Sequence, residues 1–127
     1  AGAQFIQTQF CFDVPLLADF MDEVRARELH RRCAIIVGVG TLSSAKSLRR
    51  MVQHVPGVHI PESVLLRIAG ADNQKAEAKA VLVETMRAVG DIEGVAGVHL
   101  MGYRNDEVLA EAIAESGIRR RVSTRAA

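Results

Sequence analysis

The run Cys33-Ala-Ile-Ile-Val-Gly-Val39 is the most restrictive feature of this 127-residue sequence. Its apolar residues follow one another without alternation, the pattern of a strand buried on both faces, and such strands belong to parallel sheets. Gly38 and Gly40 read as its end. Parallel strands need long crossover connections, usually helical, so the flanking sequence should alternate between strand and helix.

Residues Ala3 to Phe10 read as a strand, with Phe5, Gln7 and Gln9 alternating against Ile6, Thr8 and Phe10. Asp13 then caps a helix with Pro15 in its first turn, and Leu16, Phe20 and Val24, with Leu17 and Met21 beside them, form its apolar stripe. After the central strand, Ser43 or Ser44 caps a helix carrying Leu48, Val52 and Val55, which stops before Pro56-Gly57. A short helix begins at Pro61 with Val64, Leu65 and Ile68 inward. A longer one is capped by Asp72 or Asn73 and carries Ala78, Leu82, Met86 and Val89. Gly94 to Tyr103 is the third strand, and Asn105 caps a last helix that runs to Gly117. The predicted class is α/β, with three parallel strands and flanking helices.

Charge narrows the function. Lys and Arg total 16 against 15 Asp and Glu, a formal net charge of +1, which removes the electrostatic case for a nucleic-acid or membrane-surface protein. Arg119, Arg120, Arg121 and Arg125 make a short basic tail over residues 118–127 with no aromatic among them, read as a solvated end. Cys11 and Cys33 lie outside any CxxC pair, which fits a reducing, cytoplasmic setting. No apolar run approaches the roughly 18–20 residues of a membrane span. The sequence opens on Ala1 and runs at once into strand-like residues, so an incomplete polypeptide is expected.

Gly40 to Ser47 misses the phosphate-binding P-loop by one residue, because Ala45 stands where the second glycine belongs, and Ser43, Ser44 and Lys46 read as cap and solvent residues. Gly38 and Gly40 lack the third glycine of a dinucleotide loop. His30, His54, His59 and His99 have no metal-ligand spacing, and His99, among apolar residues, reads as an interior histidine. Gln9 is different. A glutamine at the C-terminal end of a parallel strand sits where ligands of such folds bind, and its amide offers a donor and an acceptor to a heterocycle. The alternative is a polar filler bonded to nearby backbone.

Thr8-Gln9-Phe10-Cys11-Phe12-Asp13, then Ile35 to Val39, Val58-His59-Ile60-Pro61 and Gly97-Val98-His99-Leu100-Met101 together resemble methylenetetrahydrofolate reductase, in order over residues 1–117. The resemblance implies the last three βα units of a (βα)8 TIM barrel, a fold that takes about 250 residues. It also implies FAD, reduced by NADH or NADPH, and hydride transfer to 5,10-methylenetetrahydrofolate to give 5-methyltetrahydrofolate, a step of one-carbon metabolism and methionine biosynthesis. By position, Gln9 matches the family glutamine that hydrogen-bonds folate. Met51 falls near an apolar residue that packs on the aminobenzoyl ring, with a helix-core role as its alternative, and Tyr103 and Arg104 stand where substrate-facing residues occur. The acid that protonates folate and most FAD contacts belong to earlier strands, so no catalytic residue is assigned. The chain alone is expected neither to hold FAD tightly nor to reduce folate. Its expected partners are methylenetetrahydrofolate and either the N-terminal barrel half or a second copy, as a homo-oligomer. A stand-alone half-barrel that binds folate or assembles with another chain is the alternative.

Overall fold

A computed structural model describes residues 2–41 and 43–119. The elements follow in the order β1 (Phe5–Phe10), α1 (Val14–Ala26), a single 3-10 turn (Leu29–Arg31), β2 (Ala34–Gly40), α2 (Ala45–His54), α3 (Glu62–Ala69), α4 (Gln74–Asp91), β3 (Val95–Met101) and α5 (Asp106–Ser116). The strands form one parallel sheet in the order β1-β2-β3, the α/β arrangement of a partial TIM barrel. Arg120, Arg121 and Arg125 of the basic tail lie outside the described residues.

Local chemistry sets the helix boundaries. Asp13 accepts a hydrogen bond from Leu16 N at the start of α1, Ser44 from Ser47 N on α2 and Asn73 from Ala76 N on α4, each satisfying an orphan N–H of the first turn. Gly117 ends α5 at φ 68°, a left-handed cap that glycine adopts without a β-carbon penalty.

The helices meet one face of the sheet. Ile35, Val37 and Val39 of β2 are buried there against Leu17, Met21 and Val24 of α1 and Leu82, Met86 and Val89 of α4. Each such side chain contributes about 1.5–3 kcal/mol through burial. The buried stripe of α1 is therefore Leu17-Met21-Val24, while Leu16 and Phe20 of the expected stripe are exposed. A second cluster joins Phe12, Leu48, Val58, Ile60, Leu65 and Ile68 with Ala78 and Val81 of α4. Arg67 of α3 bridges to Glu77 and Glu84 of α4, which holds Glu84 below the usual carboxylate range.

Three expectations are corrected on the other face. Burial on both sides of β2 is incomplete, because Ile36 is only half-buried. Gly38 does not end the strand but lies within it, paired with both β1 and β3, whereas Gly40 is its last residue, opposite Met101 of β3. A β-carbon on Gly40 would overlap the Met101 carbonyl oxygen and come within 2.5 Å of the Phe10 ring, so this glycine is required by close approach. His99, opposite Gly38, is exposed rather than interior, since among the described residues no helix covers its side of β3.

Gly40→Ala should lower the unfolding free energy by about 1–3 kcal/mol through overpacking. Gly97→Ala, where a β-carbon meets nothing within 4 Å, should change it by less than about 0.5 kcal/mol. Urea unfolding of both variants measures the contrast, and equal losses would contradict the packing described.

Candidate functional site

The site forms where β1 leaves the sheet. A cavity of about 310 Å3 opens there, lined by Gln9, Phe10, Phe12, Leu16, Phe20 and His59 among others. Its wall is aromatic: Phe10 and Phe12 stack with ring centroids 6.1 Å apart and planes 16° from parallel. The exposure of Leu16 and Phe20 follows from the same geometry, since both face the cavity instead of the core.

The segment after α2 supplies one side. Val58 and Ile60 are buried in the second cluster, so the residue between them points outward, and His59 pairs with Cys11 as an isolated parallel bridge beside the end of β1. His59 Nε2 lies 3.3 Å from Asp13 Oδ2 while Asp13 Oδ1 caps α1, so one carboxylate ties this segment to the helix start. The Cys11 thiol is pushed up to about 11, chiefly by burial and in smaller part by the Asp13 carboxylate. At neutral pH it is a protonated wall group, not a nucleophile.

Gln9 stands at the rim with its amide already oriented. Its Oε1 accepts from Phe10 N at 3.0 Å and its Nε2 donates to Pro56 O at 3.4 Å. The backbone donor requires the oxygen and the backbone carbonyl requires the nitrogen, which fixes which way the amide faces. A carboxamide has two lone pairs and two N–H groups. One of each is used, which leaves one acceptor site and one N–H on the same amide.

The other expected site residues do not converge on this cavity. Met51 is half-buried on α2 and packs against the second cluster, the helix-core placement. Tyr103 and Arg104 lie in the loop after β3, where Tyr103 is 77% exposed and the Arg104 guanidinium sits 5.2 Å from its ring centroid. Arg104 has φ 54°, a left-handed conformation that non-glycine residues adopt at a cost. The Pro56 carbonyl and the Asp13–His59 pair were not legible as parts of the site. The Pro56-Gly57 turn signal marks only a helix end.

The described starts of α1, α2, α3 and α5 are poorly suited to the pyrophosphate of FAD or of a nicotinamide dinucleotide. Such a group seeks free N–H groups at a helix start. In α2 two of them are engaged: Ser44 Oγ accepts from Ser47 N and Gln74 Oε1 accepts from Ala45 N. The first turns of α3 and α5 carry Glu62, Asp106 and Glu107, and Asp13 caps α1, so a phosphate there would face carboxylates. Among the described residues no group of His, Cys, Asp and Glu could hold a metal ion, and no helix is long and apolar enough to cross a membrane.

With the folded pKa raised from 9.0 to about 11, Cys11 alkylation by iodoacetamide at pH 9 should run roughly 50-fold slower in the folded chain than in the urea-unfolded chain. Mass spectrometry of the Cys11 peptide reads the ratio, and equal rates would contradict the buried, neutral thiol.

The family model for methylenetetrahydrofolate reductase matches residues 1–117. No curated protein matches the chain.

Proposed function

The chain belongs to the methylenetetrahydrofolate reductase family, and we propose that its described residues form the folate-recognising wall of a flavin-dependent barrel. Membership carries a folate-linked oxidoreductase role. The finer assignment rests on Gln9. Its amide presents one free donor and one free acceptor at the rim of an aromatic cavity, at the C-terminal end of a parallel strand. That pair matches a flat heterocycle with adjacent donor and acceptor atoms, and the Phe10–Phe12 stack offers it an apolar surface. The substrate is methylenetetrahydrofolate, reduced to 5-methyltetrahydrofolate by the complete assembly with NADH or NADPH as reductant.

The misfit of the described helix starts to a dinucleotide supports a division of labour. FAD and the reductant are held mainly by other βα units, and residues 2–119 alone do not reduce folate. The sheet supports the same reading. Among the described residues β1 and β3 each pair on one side only. Neighbouring residues Phe5 and Ile6, on opposite faces of β1, are 59% and 48% exposed, unlike a strand with one solvated face. A groove of about 410 Å3 runs along β3 and is lined by Val98, Leu100, Ile113 and Ile118. Open parallel edges with apolar flanks call for further strands. A half-barrel that pairs with a second copy of itself is the second reading of these edges.

Calorimetric titration with 5-methyltetrahydrofolate should show saturable binding that Gln9→Ala weakens roughly 30-fold, the loss of two hydrogen bonds. Binding indifferent to Gln9→Ala would contradict the reading. Mixed with FAD and gel-filtered, the chain should emerge colourless and, by sedimentation velocity, larger than a monomer. A retained stoichiometric flavin with NADH oxidase activity would overturn the division of labour, and a lone monomer would overturn pairing through the edges.

A further inference from the structure

Gln9 is aimed by a distortion of the strand that carries it. β1 pairs with β2 from Phe5 opposite Ala34 to Gln7 opposite Ile36, yet Phe10 faces Gly38, so three steps along β1 span two along β2. The extra residue falls within Thr8-Gln9, a β-bulge. It moves Phe10 onto the face of Phe5 and Gln7, against the simple alternation of the sequence, and turns Gln9 toward Pro56.

Thr8 closes the gap that the bulge opens in the ladder. Its Oγ1 accepts from Gly38 N at 3.0 Å and donates to Gln9 O at 2.8 Å. Ladder pairing then resumes with Cys11 N donating to Gly38 O at 2.8 Å. Gly38 is the other half of the device, because a β-carbon there would lie 2.8 Å from Thr8 O and 2.9 Å from Gln9 O. One hydroxyl thus serves the two backbone groups that hold the bulge in shape. A valine would suit a strand equally well by shape but could serve neither.

We propose that Thr8, through the bulge it pins on Gly38, is a positioning residue for the Gln9 amide and so sets the affinity of the cavity for the heterocycle of a folate. The folate clause rests on the reading of Gln9 given under Proposed function. The positioning clause rests on the bulge alone. Thr8 acts through Gln9, so its effect on binding disappears when the amide is absent.

The test combines Thr8→Val and Thr8→Ser, each in the native and in the Gln9→Ala background, with two readouts. The first is the dissociation constant for 5-methyltetrahydrofolate. Thr8→Val should weaken it roughly 10-fold, the loss of about one net hydrogen bond, while Thr8→Ser should stay within about 2-fold of the native chain by keeping the hydroxyl. In the Gln9→Ala background, Thr8→Val should change it by less than about 2-fold, the signature of full coupling. The second is the 1H–15N cross-peak pair of the Gln9 side-chain amide without ligand, which should shift in Thr8→Val and return in Thr8→Ser. An unmoved cross-peak, a failed serine rescue, or the same loss of affinity in both backgrounds overturns the proposal. If the cross-peaks move as stated but the native chain binds no folate, the positioning role stands and the folate reading falls. Should Thr8→Val fail to fold, Thr8→Ala carries the same comparison.

Discussion

The absence of side chains at Gly38 and Gly40 of β2 is the constraint on which the rest of the site depends. On the helix face of that strand, Ile35, Val37 and Val39 fill the core. On the other face the missing β-carbons let Phe10 and Met101 lie across the strand and let the carbonyls of Thr8 and Gln9 press against it. β2 thus anchors the core with one set of residues and shapes the site with the intervening set. The bulge, the orientation of the Gln9 amide and the aromatic wall of the cavity all follow from how closely β1 can approach those two glycines.

The sequence states the framework well, because framework is written in periodicity and capping chemistry. The unalternating run before Gly40 becomes the central strand, Asp13, Ser44 and Asn73 act as caps, and the stripe Ala78-Leu82-Met86-Val89 is buried along α4. The place of Gln9 at a strand end singled it out, and it lies at the rim of the cavity beside β1. What periodicity could not convey is register. The bulge changes the face of Phe10 without leaving any mark in local composition, and of the two glycines that read as punctuation only Gly40 ends the strand, while both allow close packing. Leu16 and Phe20 have the spacing of core residues and serve the cavity instead, since apolar spacing does not say which of two adjacent stripes will find a partner. His99 is exposed for a related reason, as among the described residues its side of the sheet has no covering helix.

Electrostatics and hydrogen bonding divide the molecule into a part that can read a neutral heterocycle and parts that turn anions away. The helix starts near the site are occupied by their own caps or carry Asp and Glu, which disfavours phosphate. Gln9, by contrast, keeps one donor and one acceptor in reserve while its other two valences fix it to the backbone. An amide held in this way binds without first losing rotamer freedom, so less of the interaction is offset by ordering.

On the reading proposed above, the backbone around Gln9 preorganises its amide for the folate heterocycle. A crystal structure of the chain with 5-methyltetrahydrofolate tests it most directly. The heterocycle should lie against Phe10 and Phe12, with the Gln9 amide about 3 Å from adjacent donor and acceptor atoms of the ligand and its bonds to Phe10 N and Pro56 O retained. A ligand bound elsewhere, or a Gln9 amide released from both backbone partners on binding, would contradict it.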